Sequence, residues 1–477
     1  MKRNFLKWSG VWIASILAVS AVSAQEINEV EQMRKELREM RERMQSLEQK
    51  LGSIEQKPVV VAPTSEAIPG ITAAPRTPPL PMSSWKPSDP IRIGKGGAYM
   101  DIGMVATFAA GGSTASDIEG GTQLGGHDPN QRGFTVQGAE LNLQGAIDPY
   151  FRGNANIVFS VDAAGESFME LEEAWLETVS LPGNLQVRAG QYLTEFGRIN
   201  TQHPHSWGFV DAPLVSGRFL GEDGLRNPGA RLSWLVPTPF YSEMFFGVQN
   251  SQGETATAFR DDHGGGGYLG RLDTQGSVKN IGDMLYTARY AASFDVTDTQ
   301  TLLAGASAAF GPNGSGTDTD TQIYGVDLYW KWKSANAHAG FPFVSWQTEA
   351  MLRKYQAGAS TTLDLDGDTI PDFVPGETLT DWGAYSQLLW GFTPGWVAGL
   401  RGDYLTHSDL AQYELLYGPD PERATRWRIS PNLTWYPTEF SKIRLQYNYD
   451  DRDGIGKDHS IWLQFEFLLG AHAAHKF

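Results

Sequence analysis

The sequence lacks cysteine altogether, since none occurs among its 477 residues. A disulfide scaffold, a thiolate metal site and a cysteine nucleophile are therefore excluded. Positive charge is also scarce, because 38 Lys and Arg stand against 55 Asp and Glu and leave a net charge of −17. This balance argues against nucleic acid as a partner.

Two further absences concern membranes and catalysis. Beyond the N-terminal segment no run of about 18 apolar residues occurs, so no transmembrane helix is predicted there. The motifs G-x-S-x-G and H-E-x-x-H and the phosphate-binding P-loop are absent as well. We therefore expect a protein that is not an enzyme and requires no cofactor.

Glycine and aromatic residues are plentiful instead. The chain has 53 Gly, 15 Trp, 17 Tyr and 23 Phe, and its mean hydropathy is only −0.33. A chain that is rich in aromatic residues yet mildly polar overall is typical of a β-sheet with one apolar face and one face in contact with water.

The N-terminus is typical of a secretory signal peptide, expected over residues 1–24. The basic segment MKRNFLK precedes an apolar stretch that ends in Val22-Ser23-Ala24. This stretch is too short and wrongly flanked for a spanning helix. Removing its three positive charges takes the net charge from −17 to −20 in the mature chain.

Residues 25–57 carry a heptad pattern. Apolar residues recur there at alternating steps of three and four, at Val30, Met33, Leu37, Met40, Met44, Leu47, Leu51 and Ile54. A stripe this regular predicts a coiled coil that joins copies of the chain, and a trimer is compatible with it but not required. Residues 58–91 then hold nine prolines and predict an extended spacer.

From residue 92 to residue 477 apolar and polar residues alternate in segments of roughly ten. In the last segment Ile461, Leu463 and Phe465 share one face, and Trp462 and Gln464 share the other. One face is apolar and aromatic throughout, whereas the other carries charges to its middle. Apolar outside and polar inside is the pattern of a transmembrane β-barrel.

Sixteen such segments are predicted, an even number, as the strands of an antiparallel barrel. They cover 97–109, 133–147, 151–162, 167–179, 185–193, 228–237, 241–250, 283–296, 300–311, 320–334, 342–356, 379–393, 396–407, 423–437, 441–451 and 459–469. Long polar loops mostly follow the odd-numbered strands, at 110–132, 194–227, 251–282, 357–378 and 408–422, and short turns follow the even-numbered ones. This asymmetry is typical of outer-membrane barrels and predicts that both ends of the barrel domain, with the coiled coil, lie in the periplasm.

Three stretches resemble a known family, the outer-membrane porins, which include anion- and phosphate-selective porins and trimeric porins with a periplasmic coiled coil. They are AELNLQGAIDPYFRGNANIVFS (139–160), LEEAWLETVSLPGNLQVRAGQYLTEFGRIN (171–200) and the terminal Phe477. The resemblance implies a trimer of sixteen-stranded barrels, a third external loop folded inward, and recognition of Phe477 by the barrel-assembly machinery. At the level of motifs it is specific only within 134–200.

The third external loop, predicted at 194–227, is the candidate constriction of the lumen. A connection this long in a compact fold is usually functional. Its charged residues Asp211, Arg218, Glu222 and Asp223 are the predicted constriction residues. The alternative is that the loop only covers the mouth.

Alternation also predicts which charges face the lumen. The expected pore-lining and selectivity residues are nine cations: Arg188, Arg231, Lys331, Lys333, Arg401, Arg426, Arg428, Lys442 and Arg444. Carboxylates are expected to line the lumen at Glu140, Glu177, Asp327, Asp403 and Glu466. Opposed charged walls would orient dipolar solutes, and the basic ladder on the last strands suggests the hypothesis of a mild preference for anions. The alternative is that these charges merely keep the lumen wet.

The segment DLDGDTIPD predicts a structural calcium site. It places Asp364, Asp366, Asp368 and Asp372 near alternate positions of the sixth external loop, as a hard cation with oxygen ligands requires. An ordinary acidic surface loop is the alternative.

Four histidines are weaker candidates for a zinc or copper site. His203 and His205 flank a proline in the third loop, and His472 and His475 lie near the C-terminus. Imidazole pairs bind such metals, but two histidines separated by one residue are a common arrangement.

Together these patterns predict a porin of the bacterial outer membrane, surrounded by lipid and carrying small hydrophilic, in part anionic, solutes by passive diffusion. A receptor for metal or nutrient uptake, and a structural barrel that anchors a periplasmic coiled-coil tether, are the alternatives. A plugged TonB-dependent receptor needs about 22 strands, for which the chain is too short.

Overall fold

The computed structural model describes residues 91–261, 263, 267–361 and 372–470. The predicted signal peptide, coiled coil and most of the spacer, up to residue 90, lie outside these ranges. His472, His475 and Phe477 lie outside them too. Within the described ranges no helix has the length and apolar character needed to cross a membrane.

Sixteen antiparallel strands close into a barrel, as predicted. They are β2 Ala98–Ser113, β3 Gly133–Ala146, β4 Phe151–Val161, β5 Ser167–Thr178, β6 Leu185–Leu193, β7 Arg226–Leu235, β8 Tyr241–Asn250, β9 Met284–Thr297, β10 Gln300–Pro312, β11 Asp320–His338, β12 Phe341–Ala357, β13 Glu377–Thr393, β14 Trp396–His407, β15 Arg426–Thr438, β16 Ser441–Arg452 and β17 Gly456–Leu469. Each strand pairs with the next, and β17 pairs with β2, so that Phe465 lies opposite Phe108. Closure leaves these strands without an unpaired edge.

A short strand that the sequence did not predict precedes the barrel. This strand, β1 (Ile91–Lys95), pairs with the start of β2, so that Gly94 lies opposite Tyr99. The turn between them passes through Gly96, whose φ of 67° suits glycine. Proline-rich composition up to Pro90 hid this strand, because prolines usually indicate a segment without sheet pairing.

Side chains alternate between lumen and lipid, as β14 shows. Arg401 and Asp403 point inward and are 1% and 4% exposed, whereas Leu400 points outward and is 52% exposed. Since the side-chain period of a strand is two, shifting β14 by one residue would place both charges in lipid.

Aromatic side chains form two girdles on the outer wall. Near the short turns, Trp396 and Trp435 stack with ring centroids 5.9 Å apart. Toward the long loops, Trp382 and Tyr404 pack at 5.3 Å. Leu400 lies midway along β14 between Trp396 and Tyr404. An apolar band between two aromatic girdles is the lipid-facing surface of an outer-membrane barrel.

The two rims of the barrel differ as predicted. One rim carries short turns, for example 298–299 and 394–395, and the other carries long loops, among them 114–132, 194–225, 251–283, 358–376 and 408–425. The first residue of β2 and the last residue of β17 lie at the short-turn rim. In barrels of this kind the short turns face the periplasm and the long loops face outward.

Candidate functional site

The third long connection, residues 194–225 and hereafter loop 3, contacts the inner wall along its length. It contains two short 3₁₀ turns, Ile199–Thr201 and Pro204–Ser206, and one helical segment, Leu214–Leu220. One of its backbone anchors is the Glu349 carboxylate on β12, which accepts hydrogen bonds from the N–H groups of Arg198 at 3.1 Å and Ile199 at 2.8 Å. A buried loop needs such partners because its backbone groups have lost water.

The centre of loop 3 is held by Asp211, which is fully buried. Its carboxylate accepts hydrogen bonds from Arg401 at 2.6 Å and Arg428 at 3.0 Å, and from the amides of Gln446 at 2.8 Å and Asn448 at 3.0 Å. Burial raises the pKa of Asp211, but Arg401 and Arg428 outweigh that effect and hold the pKa below its ordinary value of 3.8. Asp211 therefore carries a negative charge at neutral pH.

The backbone carbonyls beside Asp211 are bound by the same wall. Lys442 donates to the carbonyl oxygen of His205 at 2.6 Å. Arg444 donates to the carbonyl oxygens of Trp207 at 2.9 Å and Phe209 at 2.8 Å. The predicted basic ladder of β14–β16 is thus the surface on which loop 3 rests.

Most cations of this ladder also have carboxylate partners. Arg401 pairs with Asp403 at 2.9 Å, and Lys442 pairs with Glu466 at 2.7 Å. Asp450 on β16, which the sequence analysis did not single out, pairs with Arg426 and Arg428. The alternation of polar and apolar residues along β16 could have identified Asp450 as a residue that faces the lumen. Its two partners lie on β15, however, so the sequence of β16 alone could not show these ion pairs.

The other predicted pore-lining cations lie on the inner wall as well. Arg188 and Arg231 are buried and share the carboxylate of Glu177, at 2.7 Å and 2.9 Å. Lys331 and Lys333 lie on the inward face of β11 and line a cavity of about 560 Å³ toward the short-turn rim.

The helical segment of loop 3 packs into an apolar cluster inside the barrel. Leu214, Val215 and Phe219 are buried in one cluster with Tyr385 of β13 and Leu405 of β14. Apolar burial of this kind adds to the polar anchors at Asp211. The sequence analysis did not expect an apolar core within a polar lumen.

The predicted constriction residues other than Asp211 lie toward the long-loop rim. Arg218 donates to the carbonyl oxygen of Ala424 at 2.8 Å and lines a cavity of about 220 Å³ beside Glu422. Asp223 is half-buried, 3.6 Å from Arg226. Glu222 is exposed.

Of the predicted calcium ligands, Asp364, Asp366 and Asp368 lie outside the described residues, and Asp372 is half-buried at their edge. Hydrogen bonds between Ser360 and Val374 at 2.8 and 2.9 Å join the two ends of this segment. The calcium site stays a prediction.

Comparisons with known proteins agree with the barrel. No protein-family model matches the chain. An uncharacterized protein of Aquifex aeolicus (strain VF5) is 33% identical over 375 residues, which cover 74% of this chain and 73% of the relative. The chain belongs to the same family as this Aquifex protein.

A solved structure shares the fold of the barrel. The crystal structure of the outer membrane channel DcaP of Acinetobacter baumannii gives a TM-score of 0.51 at 13% identity and covers 79% of this chain and 99% of that chain. The anion-selective porin from Comamonas acidovorans gives a TM-score of 0.48 at 9% identity, over 78% of this chain and 100% of that one. The predicted outer-membrane porin fold is confirmed, and with its apolar outer band it places the protein in the bacterial outer membrane.

Proposed function

We propose that the protein is a water-filled channel for the passive diffusion of small hydrophilic solutes, narrowed by loop 3. The observation that carries this proposal is the anchoring of loop 3 to side chains from both sides of the lumen. His205 in the loop lies 2.9 Å from Glu140 on β3, while the N–H group of Ile199 donates at 2.8 Å to Glu349 on β12, seven strands away around the barrel. A loop held at both walls sets the free cross-section between them.

The proposed preference for anions depends mainly on Lys331 and Lys333. Asp211, Asp403, Asp450 and Glu466 compensate four of the five predicted pore-lining cations of β14–β16, and the fifth, Arg444, is occupied by backbone carbonyls of loop 3. Lys331 and Lys333 line a cavity of about 560 Å³ toward the short-turn rim. The Arg198 guanidinium lies nearby, 4.0 Å above the ring of Tyr329 in the same cavity wall.

Reversal potentials in planar bilayers under a KCl gradient test the selectivity. The unmodified protein should favour chloride, and the double substitution Lys331→Gln with Lys333→Gln should reduce that preference. Lys354→Gln is the matched control, because Lys354 is exposed on the outer face of the neighbouring strand β12. Cation preference in the unmodified protein contradicts the proposal about anions.

Liposome swelling separates the channel from a structural barrel. Sugars and small organic acids should enter liposomes that contain the purified protein. Absence of both swelling and ionic conductance in correctly folded protein would favour a barrel that only anchors the N-terminal segment.

A further inference from the structure

Two histidines and three glutamates meet where loop 3 contacts β3 and β5. The members of this histidine–glutamate cluster are Glu140, Glu172, Glu173, His203 and His205. His203 Nδ1 lies 2.8 Å from a carboxylate oxygen of Glu172, and its Nε2 lies 3.3 Å from one of Glu173. His205 Nδ1 lies 2.9 Å from Glu140. The four side chains other than His203 are less than 9% exposed, and His203 is nearly as well covered.

A β-bulge supplies the second glutamate of β5. The pairing of β4 with β5 shifts after Asn156, which lies opposite Glu173, so that Ile157 lies opposite Leu171. Glu172 is therefore the extra residue, and consecutive Glu172 and Glu173 both turn inward. Bulges recur beside functional sites because they re-aim a side chain.

The charges of the cluster do not balance within it. Three ionised carboxylates exceed two protonated imidazoles by one negative charge within the cluster, and the Arg188 guanidinium acts on Glu173 from outside it. Buried charge of one sign is costly unless a cation compensates it.

The donor atoms are spaced for a single ion. One carboxylate oxygen each from Glu140 and Glu172 and one ring nitrogen of His203 lie within 4.8 Å of one another. An ion about 2.0–2.2 Å from each donor fits between atoms at such a separation after small side-chain movements. The rings of His203 and His205 stack with centroids 5.6 Å apart, which keeps the second imidazole beside the first.

We propose that this cluster binds one divalent transition-metal ion through Glu140, Glu172 and His203, with Glu173 and His205 available as further ligands. Imidazole with carboxylate suits Zn²⁺ and ions of similar preference, such as Co²⁺, better than Ca²⁺, which prefers oxygen alone. The bound ion would connect loop 3 to β3 and β5. This site does not depend on which solute the channel carries.

A neighbouring group provides the contrast. His127, Glu170 and Asp223 also place donor atoms within 4.8 Å of one another. There, however, Arg226 forms ion pairs with both Glu170 and Asp223. A guanidinium already supplies the positive charge, so we do not assign a metal to this group.

Calorimetry with Zn²⁺, and the visible absorption of Co²⁺, test the site in tag-free full-length protein stripped with a chelator. We expect one ion per chain. His203→Gln and Glu172→Gln should each weaken binding by about 100-fold or more, since each removes a ligand. His127→Gln, the matched control, should leave the affinity unchanged.

The proposal is overturned if the unmodified protein binds no ion, or if His203→Gln and Glu172→Gln bind as tightly as the unmodified protein. It is equally overturned if His127→Gln alone abolishes binding. Glu172→Asp keeps the negative charge and replaces Glu172→Gln in the experiment if Glu172→Gln does not fold. The Glu172→Asp protein should form an intact barrel and bind the ion more weakly than the unmodified protein. Conductance measured after chelation reports on the channel separately from the metal.

Discussion

At the scale of single residues, charge compensation decides what the lumen cations do. Asp211 receives hydrogen bonds from Arg401 and Arg428, and neither guanidinium faces an open pathway. Arg444 binds backbone carbonyls of loop 3 instead of a carboxylate. A cation can therefore line a barrel and still serve to position a loop, and carboxylates at hydrogen-bond distance cancel much of the field of Arg401 and Arg428.

Asp211→Asn should destabilise the docking of loop 3. Removing one charge of a buried pair costs about 3–5 kcal/mol, because the partner guanidiniums keep their charge without a counterion. The free energy of unfolding at neutral pH should fall by about this amount, measured by denaturant titration in detergent. Asp409→Asn, at an exposed loop position, should have little effect.

The Asp211 carboxylate also predicts how the stability of the protein changes at acid pH. The pKa of Asp211 is lower in the folded state than the ordinary 3.8. The ionised carboxylate therefore contributes fully to the stability of the fold above about pH 4, and this contribution is lost as pH falls through the folded-state pKa. Between pH 5 and pH 3 the unmodified protein should therefore lose stability faster than Asp211→Asn. If the unmodified protein and Asp211→Asn lose stability in parallel as the pH falls, the acid dependence is not due to Asp211.

At the scale of elements, loop 3 behaves as an internal packing unit. Its helical segment buries Val215 and Phe219, at 0% and 1% exposure, against the inner faces of β13 and β14. The Arg353 guanidinium lies 5.1 Å above the Phe219 ring. Apolar packing and a cation over an aromatic face thus hold the side of loop 3 that Asp211 does not reach.

Phe219→Ala tests this packing. Deleting a buried phenylalanine side chain typically costs about 3–5 kcal/mol, from lost burial and the cavity that remains. The peptide bond after Arg218 should then become much more sensitive to trypsin, as gel electrophoresis of the digested barrel would show. Phe373→Ala, at a position 62% exposed, is the control. Equal protection in both variants would mean that other contacts hold the helical segment.

At the scale of the whole molecule, the lipid-facing band determines how the barrel lies in the membrane. Leu400 is placed between the two aromatic girdles, near the expected bilayer midplane. Leu400→Arg should lower the free energy of unfolding in lipid vesicles by about 2–4 kcal/mol, the usual cost of a midplane cation. Leu410→Arg, at a position in a long loop and 49% exposed, is the matched change outside the bilayer. Similar costs in both variants would contradict this placement.

The sequence by itself determined the barrel, its sixteen strands, the two unequal rims and the inward face of the strands that keep a regular alternation. These features follow from a period of two and from turn residues, which act between near neighbours in the chain. Strand β1 escaped prediction because the proline-rich composition extends up to Pro90, just before its first residue.

Only the tertiary structure decided what the inward residues do. The partners of Asp211 lie 190 to 237 residues away in the chain, so no local pattern could pair them. The bulge at Glu172 reverses the alternation of β5 and brings both glutamates to His203, a change that depends on pairing with β4. Whether a charge selects solutes, anchors a loop or gathers at a metal site depends on its distance to other charges, which only the closed barrel sets.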